Sequence, residues 1–195
     1  MSMSDRVSQI CSSVTFHLRN ISRIRRYIDQ SACNNAVRSL VLSRLDYCNG
    51  LLSSIPVTQL LRIQRLQNWA ARLIYQVSRR HSPEPLLASL HWLPVKQRII
   101  FKLLLMVYKS INRLAPPYVF QCLTLYNPGR SLRSSRDHLL LTYKARNKLA
   151  GDRTFTITVS KYWNKLPLML RKSPTVSSFK KGLKTFLFPN PNFSV

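Results

Sequence analysis

PVKQRIIFKLLLMVYKSI, residues Pro94 to Ile111, is the stretch that decides the fold of this chain. Read as a helix, its apolar side chains cover about 260° of the helical wheel, far more than the stripe of an ordinary surface helix. Pro94 suits the first helical position, where its missing N–H costs nothing. The gap in the apolar surface holds Arg98, Lys102 and Lys109. The sequence therefore predicts a core helix that reaches water along one basic stripe.

A membrane span is the competing interpretation of the same stretch. Crossing a bilayer requires about 20 mostly uncharged residues, and Lys102 interrupts the run. The amino terminus, MSMSDRVSQ, lacks the apolar segment of a secretory signal. We therefore expect an intracellular protein of the nucleus or cytoplasm that is not secreted and has no membrane span.

The charge of the chain is strongly one-sided. The 195 residues include 31 Lys and Arg against 6 Asp and Glu, which gives a net charge of +25, while 45% of the residues are hydrophobic. That hydrophobic content is enough for a packed core. Most cations lack an acidic partner within the chain, so phosphates of RNA or DNA are the expected partner. The sequence does not indicate an oligomeric state.

Further segments carry apolar residues at spacings of three or four, which predicts further helices. These are residues 5–28, 31–52 with Ser31 as the N-cap, 58–80, 86–90, 118–126 and a last helix that starts at Ser173. Two segments have strand character: 139–143 (LLLTY) reads as a short strand, and 154–160 (TFTITVS) alternates like a strand but could equally extend the following helix. The predicted fold class is mainly α, an irregular multi-helix bundle with a smaller basic carboxy-terminal subdomain that has up to two short strands.

Composition changes along the chain and divides it into four predicted segments. Only four glycines occur, which favours long helices over hairpins with tight turns. The stretch after Asn127, NPGRSLRSSRDH, is polar, basic and poor in apolar anchors, as a linker or a nucleic-acid-contacting loop would be. The segments are a helical segment 1–55, a central helical core 56–126, a basic carboxy-terminal subdomain 127–188 and a loose tail 189–195.

Arginines repeat every seven residues on the polar side of the predicted helix 58–80, with a tryptophan and a further arginine beside them. These residues are Arg62, Arg65, Trp69, Arg72 and Arg79. An aromatic ring among arginines can stack on a base while the cations hold phosphates. The alternative is that the tryptophan packs under a neighbouring helix and the arginines form a solvated face. Another arginine set shares the polar side of the predicted helix 5–28, namely Arg19, Arg23 and Arg26.

The second half of the chain carries the larger share of the positive charge. Its candidate nucleic-acid contacts, added to the helix 58–80 set and to the basic stripe of Arg98, Lys102 and Lys109, are Arg130, Arg133, Arg136, Lys180, Lys181 and Lys184. Phosphate contacts of this kind predict binding that depends steeply on salt and weakly on sequence.

No catalytic motif is present in the sequence. It contains no Gly-rich phosphate loop, no H-E-x-x-H, no G-x-S-x-G and no spaced Cys/His set for a metal. The six acids are scattered singly, and we expect Asp46 and Asp152 to pair locally with Arg44 and Arg153. The four cysteines lack a C-x-x-C pair, so buried thiols are expected rather than disulfides. We expect no enzymatic activity, no cofactor, no metal and no small-molecule substrate.

Seven stretches in order along the chain resemble the carboxy-terminal region of reverse transcriptases of LINE-type, non-LTR retrotransposons, in the jockey-like and chicken-repeat-like groups. They are RLDYCNGLL (44–52), RIQRLQNWAARLIY (62–75), LHWLPVKQRIIFKLLLMVYKSINRLAPPYV (90–119), RSLRSS (130–135), GDRTF (151–155), YWNKLP (162–167) and SFKKGLKTFLF (178–188). The resemblance covers nearly the whole chain, from about residue 8 to residue 188.

The resemblance implies a role without catalysis. It places a thumb-like segment near residues 1–55, followed by the helical post-polymerase region that holds template RNA and target DNA. The family polymerises through a Tyr-x-Asp-Asp motif, which this sequence does not contain, so the expected function is that of a non-catalytic carboxy-terminal fragment with generic RNA- and DNA-binding capacity. The alternatives are a host-adopted module that binds nucleic acid or protein, and a translated retroelement relic without function.

Overall fold

A computed structural model describes residues 3–127, 138–143, 155–190 and 193. These residues are mainly helical, so the predicted fold class is confirmed. The chain divides into two compact units, residues 1–99 and residues 100–195, and the division falls inside one helix. The segment boundaries at residues 55, 126 and 188 stay predictions. Among the described residues, no helix is both long enough and apolar enough to cross a bilayer.

The first unit is built from six helices, of which the last continues into the second unit. They are α1 (Met3–Ile24), α2 (Gln30–Val37), α3 (Ser43–Asp46), α4 (Val57–Tyr75), α5 (Pro83–Ser89) and α6 (Val95–Ile111). A 3-10 turn, Arg25–Tyr27, follows α1, a π-helical turn, Arg38–Leu42, joins α2 to α3, and a second 3-10 turn spans Asn49–Ser54. The predicted helix 31–52 is therefore interrupted. Its N-cap is Asp29 rather than Ser31, because an Asp29 carboxylate oxygen accepts a hydrogen bond from the Ala32 N–H at 3.0 Å.

Helices α1 and α4 pack side by side and run in the same direction. The buried face of α1 has spacings of three and four, with Val7, Ile10, Val14, Leu18 and Ile21. At the start of both helices, Gln59 donates a hydrogen bond to the Ser4 hydroxyl at 3.2 Å. At their ends, Arg25 donates to the carbonyls of Leu73 and Ile74 at 3.0 and 2.8 Å. The pair is thus fastened at both ends.

The buried face of α4 is not purely apolar. It includes Gln67, which is fully buried and donates to the Leu93 carbonyl at 2.9 Å. Gln64 donates to the Gln67 side-chain oxygen at 2.9 Å and accepts from the Val95 N–H at 2.8 Å. Gln64 thus satisfies the first N–H of α6, which has no partner within that helix, and Gln67 satisfies the Leu93 carbonyl just before it.

The second unit is held by aromatic side chains between the end of α6 and the helices α8 (Phe155–Asn164) and α10 (Val176–Leu187). The Tyr108 and Phe179 rings stack with centroids 4.2 Å apart, and the Trp163 ring lies 6.1 Å from that of Phe179. The Tyr108 hydroxyl donates to the Ser173 carbonyl at 2.7 Å. The short helices α7 (Pro117–Gln121) and α9 (Leu168–Arg171) complete the unit.

The two segments with strand character have different outcomes. Residues 139–143 form a single antiparallel bridge, Leu125 with Leu140, and not a strand. On its other side, the Leu140 backbone is paired by a side chain and not by a second strand. The Asn164 amide N–H donates to the Leu140 carbonyl at 2.7 Å, and the Asn164 amide oxygen accepts from the Leu140 N–H at 2.9 Å. The open reading of 154–160 resolves to helix over its described residues, since α8 begins at Phe155.

The cysteines are free thiols, as expected, but their burial was predicted correctly only in part. Cys33 is buried and Cys11 is half-buried, whereas Cys48 and Cys122 are exposed. Burial raises the pKa of the Cys11 and Cys33 thiols.

Candidate nucleic-acid interface

The side of α4 that faces away from its core carries the predicted cation and aromatic set. Arg62, Arg65, Trp69 and Arg72 follow one another at spacings of three and four, so they lie along one side of the helix. Arg62 and Arg65 are exposed, whereas Trp69 and Arg72 are half-buried. This part of the sequence prediction places its residues on a common surface.

Arg79 lies on the same surface, but in the segment after α4 and not within the helix as predicted. Helix α4 ends at Tyr75, and Gln76 adopts a left-handed conformation with φ 54°, so the helix does not run to residue 80. The Arg72 guanidinium donates two hydrogen bonds to the His81 carbonyl, at 3.0 and 2.9 Å. These bonds fold the segment after α4 back along the helix and bring Arg79 beside Arg65 and Trp69.

Arg25 is a structural cation that the sequence prediction missed. Its guanidinium donates to three carbonyls, those of Ile28, Leu73 and Ile74, at 2.8, 3.0 and 2.8 Å. The last carbonyls of a helix have no partner within the helix and form the negative end of its dipole. Arg25 therefore closes the end of α4 and fixes the end of α1 against it.

A cavity of about 660 Å³ lies between the ends of α1 and α4. We call it the arginine cavity. Five arginines line it together with Trp69 and an apolar floor that includes Leu66 and Leu73; the arginines are Arg25, Arg26, Arg65, Arg72 and Arg79. None of the described residues that line it is acidic. Its positive field is thus not neutralised by carboxylates in its own walls.

The cations of the arginine cavity serve two purposes. Arg25 and Arg72 bind backbone carbonyls and hold the walls in place. Arg26, Arg65 and Arg79 are exposed and point their charge toward solvent, with the Arg26 guanidinium 4.7 Å from the centroid of the Tyr27 ring. An anion that enters the cavity would therefore meet a preformed wall and exposed guanidinium groups.

A second cavity, of about 550 Å³, lies farther toward the start of the same two helices. It is lined by Arg62 of α4 and by a set of α1 residues that includes Cys11, Phe16, Arg19 and Arg23. The Phe16 side chain is 60% exposed. No acidic residue belongs to this lining among the described residues. The spacing of Arg19, Arg23 and Arg26 in the sequence was the signal that could have added this side of α1 to the candidate residues.

The basic stripe predicted on α6 is not a uniform set. Arg98 forms a two-pronged ion pair with Asp46, in which its Nε lies 2.8 Å from one carboxylate oxygen. The sequence had indicated that Asp46 pairs with Arg44, and this prediction was wrong, because Asp46 pairs with Arg98. Arg44 instead donates hydrogen bonds to the Ser13 hydroxyl and the Leu40 carbonyl. A guanidinium already engaged by a carboxylate is a poor phosphate ligand, so we remove Arg98 from the candidate set.

The remaining candidates belong to the second unit. Lys102 is exposed and Lys109 is half-buried on α6, while Lys180, Lys181 and Lys184 are exposed on α10. The predicted contacts Arg130, Arg133 and Arg136 lie outside the described residues, as does the predicted Asp152–Arg153 pair. Within the part of the chain that the structure describes, no three His, Cys, Asp or Glu side chains are grouped closely enough to hold a metal ion.

No protein-family model, curated protein or solved structure matches this chain.

Proposed function

We propose that this chain binds RNA or DNA without catalysis, as the thumb and post-polymerase region of a LINE-type reverse transcriptase. The observation that carries the binding proposal is the arginine cavity, where five guanidinium groups and Trp69 surround a space with no acidic residue in its described lining. Guanidinium groups donate two parallel hydrogen bonds to phosphate oxygens, and an aromatic ring offers a base a stacking surface. The family assignment is supported by the seven sequence stretches.

Binding through such a cavity is driven largely by the release of counterions from phosphates. For a single strand, the logarithm of the affinity falls with the logarithm of the salt concentration at a slope of about 0.7 per neutralised phosphate. With about six contacts, the affinity should fall by roughly 300-fold between about 50 and 200 mM salt. The proposed function is therefore tested by measuring how the affinity changes with salt concentration, and not by one affinity at one salt concentration.

The decisive variant is Arg65→Gln/Arg79→Gln, measured by fluorescence anisotropy with a labelled single-stranded RNA over a salt series. Both side chains are exposed and line the arginine cavity, so their loss should reduce the slope by about 1.4 with little change in stability. Arg72, although predicted for the same role, is left intact because it holds the His81 carbonyl.

The matched control is Arg38→Gln/Arg113→Gln, which removes two exposed arginines that do not line this cavity. The control should lower the slope less than the cavity variant does. A salt-independent affinity in the unmodified chain, or equal slopes in the two variants, would contradict the proposed function.

The non-catalytic part of the proposal is tested by primer extension and nuclease assays with the purified chain in magnesium and in manganese. Two-metal catalysis needs a carboxylate cluster, and the sequence scatters its six acids singly. We expect no product with either metal. Extension of a primer by this chain would overturn that part of the proposal and leave the binding part intact.

A further inference from the structure

The two cavities between α1 and α4 lie on the same side of α1. Cys11 and Thr15 line the second cavity, and Ser22 and Arg26 line the arginine cavity. The spacings between Cys11, Thr15 and Ser22, four and seven, keep these three residues on one side of α1, and Arg26 lies in the 3-10 turn that follows the helix. The two cavities therefore follow one another along the helix pair, and we call the surface that contains both of them the channel.

The direction of this channel follows from the packing of the two helices. Because α1 and α4 run in the same direction, the channel begins near Arg62 and ends at the turn that contains Arg79. Along the axis of α4, the ten residue steps from Arg62 to Arg72 span about 15 Å. That length allows several backbone phosphates to be contacted in succession.

Two aromatic rings are separated along this channel by arginines from both walls. Phe16 lies in the second cavity and Trp69 in the arginine cavity. Arg19 and Arg23 stand on the α1 wall, and Arg62 and Arg65 on the α4 wall; their charges lie at the rim, since all four are exposed. The alternation of cations and aromatic rings matches the surfaces that hold single strands.

We infer that the channel between α1 and α4 is a binding groove for one single strand of RNA or DNA, with bases stacked on Phe16 and Trp69. This inference rests on the proposed function and adds the form of the ligand. The two aromatic rings decide the form of the ligand, because an aromatic side chain binds a base by stacking on its open face. In a duplex, moreover, each base face is already covered by its neighbours, so the two rings would have nothing to stack on.

The test compares three labelled probes of equal length: a single-stranded oligopyrimidine, the matched duplex, and a strand with the same phosphates but abasic sugars. The variants are Phe16→Ala, Trp69→Ala and the conservative Trp69→Phe. Loss of one stacked base reduces affinity by about 5- to 150-fold. We expect that loss for the single strand in both alanine variants, little change for the duplex and the abasic strand, and partial recovery in Trp69→Phe.

Two controls keep the outcome interpretable. Tyr118→Ala removes an aromatic side chain that is 67% exposed and lines neither cavity, so it should bind all probes as the unmodified chain does. Phe16 is exposed enough for its alanine variant to keep the melting temperature, so a failure of Trp69→Ala to fold would still leave one valid aromatic variant. The double variant Arg19→Gln/Arg23→Gln should reduce the single-strand salt slope by about 1.4 if the strand enters the second cavity.

The failures of the inference and of the proposed function differ. Steep salt dependence with equal affinity for all three probes, and no effect of Phe16→Ala or Trp69→Ala, would overturn the single-strand groove while the nucleic-acid binding stands. Unchanged slopes in Arg19→Gln/Arg23→Gln, with reduced slopes in Arg65→Gln/Arg79→Gln, would confine the strand to the arginine cavity and overturn the continuous groove. Absence of salt-dependent binding to any probe would overturn the proposed function itself.

Discussion

Residues 1–99 contain thirteen arginines and one lysine, whereas residues 100–195 contain seven arginines and ten lysines. The division between the two compact units therefore coincides with a change of cation. In the first unit arginines also hold the structure together: Arg25 closes α4, Arg72 holds the following turn, and Arg98 binds Asp46. In the second unit, aromatic side chains from α6, α8 and α10 do that work, and the lysines of α10 are exposed.

The chemistry of the two cations explains the difference. Guanidinium presents five donors in a planar fork, so one arginine can satisfy two or three carbonyls and still carry its charge. Lysine presents a compact, strongly hydrated charge on a flexible stem. A charge count therefore overstates the number of arginines in the first unit that are available to bind a partner.

The largest effect is expected where the second unit depends on its aromatic core. Trp163 is fully buried, and its indole N–H donates to the His138 carbonyl at 2.7 Å. Trp163→Ala should lower the free energy of unfolding by about 3–5 kcal/mol, because it leaves a cavity and an unpaired carbonyl. Urea denaturation followed by circular dichroism measures this loss.

The control on the neighbouring helix is Met169→Ala. The Met169 side chain is 85% exposed, so its truncation should change stability by less than about 0.5 kcal/mol. Equal losses in the two variants would show that the aromatic cluster does not hold the second unit together.

The next effect separates two adjacent arginines of the first unit. Arg25 binds three backbone carbonyls, whereas Arg26 is exposed beside Tyr27. Arg25→Gln should cost about 1–3 kcal/mol, since it breaks charged hydrogen bonds at the end of α4. Arg26→Gln should cost less than about 0.5 kcal/mol and instead weaken RNA binding.

Thermal and chemical denaturation measure the stability of the two variants, and fluorescence anisotropy measures their RNA binding. Together they show whether each arginine is structural or available to bind RNA. If Arg26→Gln were the more destabilised of the two, the distinction between structural and available arginines would be wrong for this pair.

How far the sequence predicts this site can be judged from individual residues. Arg65 and Trp69 were placed correctly, because helical spacing fixes which side chains share a side. Arg79 was assigned to the same surface by extending the helix, but it arrives through a turn that begins where Gln76 turns left-handed. The roles of Arg25 and Arg98 depend on which carbonyls and carboxylates approach them in the folded chain. Helical periodicity holds no such information.

The same limit explains the buried face of α4. Gln67 has the same helical spacing as the buried Ile63 and Ala70, but its polar side chain left it out of the apolar pattern; it is buried because the Leu93 carbonyl and Gln64 satisfy its amide. The fold class itself was predictable, since apolar spacing and the scarcity of glycine act over many residues and average out such local exceptions.

A smaller effect on stability is expected from relieving backbone strain in each of the two units. In the described residues no glycine has a positive φ, while His91 in the first unit and Arg113 in the second do, at 53° and 57°. A left-handed conformation costs a non-glycine residue about 1–2 kcal/mol, part of which the greater freedom of unfolded glycine offsets. His91→Gly and Arg113→Gly should each therefore raise the free energy of unfolding by up to about 1 kcal/mol.

These two variants also report whether the units unfold separately. If the units unfold in separate transitions, His91→Gly should shift only the unfolding transition of residues 1–99. Arg113→Gly should then shift only the unfolding transition of residues 100–195. Ala88→Gly, inside α5, is the control of opposite sign, because glycine in a helix costs about 1 kcal/mol relative to alanine. Destabilisation by His91→Gly would mean that its side chain contributes more than its backbone strain costs.

The smallest effect concerns pH and belongs to the first unit. The pKa of His17 is lowered from its ordinary value of 6.5, first by burial and then by the charge of Arg44. The folded chain therefore binds fewer protons at this site than the unfolded chain, so the contribution is fully present above pH 6.5 and is lost as the pH falls below it. His17→Gln should flatten the stability profile between about pH 7 and 5. Glu84 also contributes to the pH dependence, but at lower pH. Its pKa is lowered from 4.5, chiefly by the hydrogen bond from Ser82, so its contribution to stability is lost below this window. Urea midpoints across the window measure the slope, and identical slopes for the variant and the unmodified chain would show that His17 titrates alike in the folded and unfolded states.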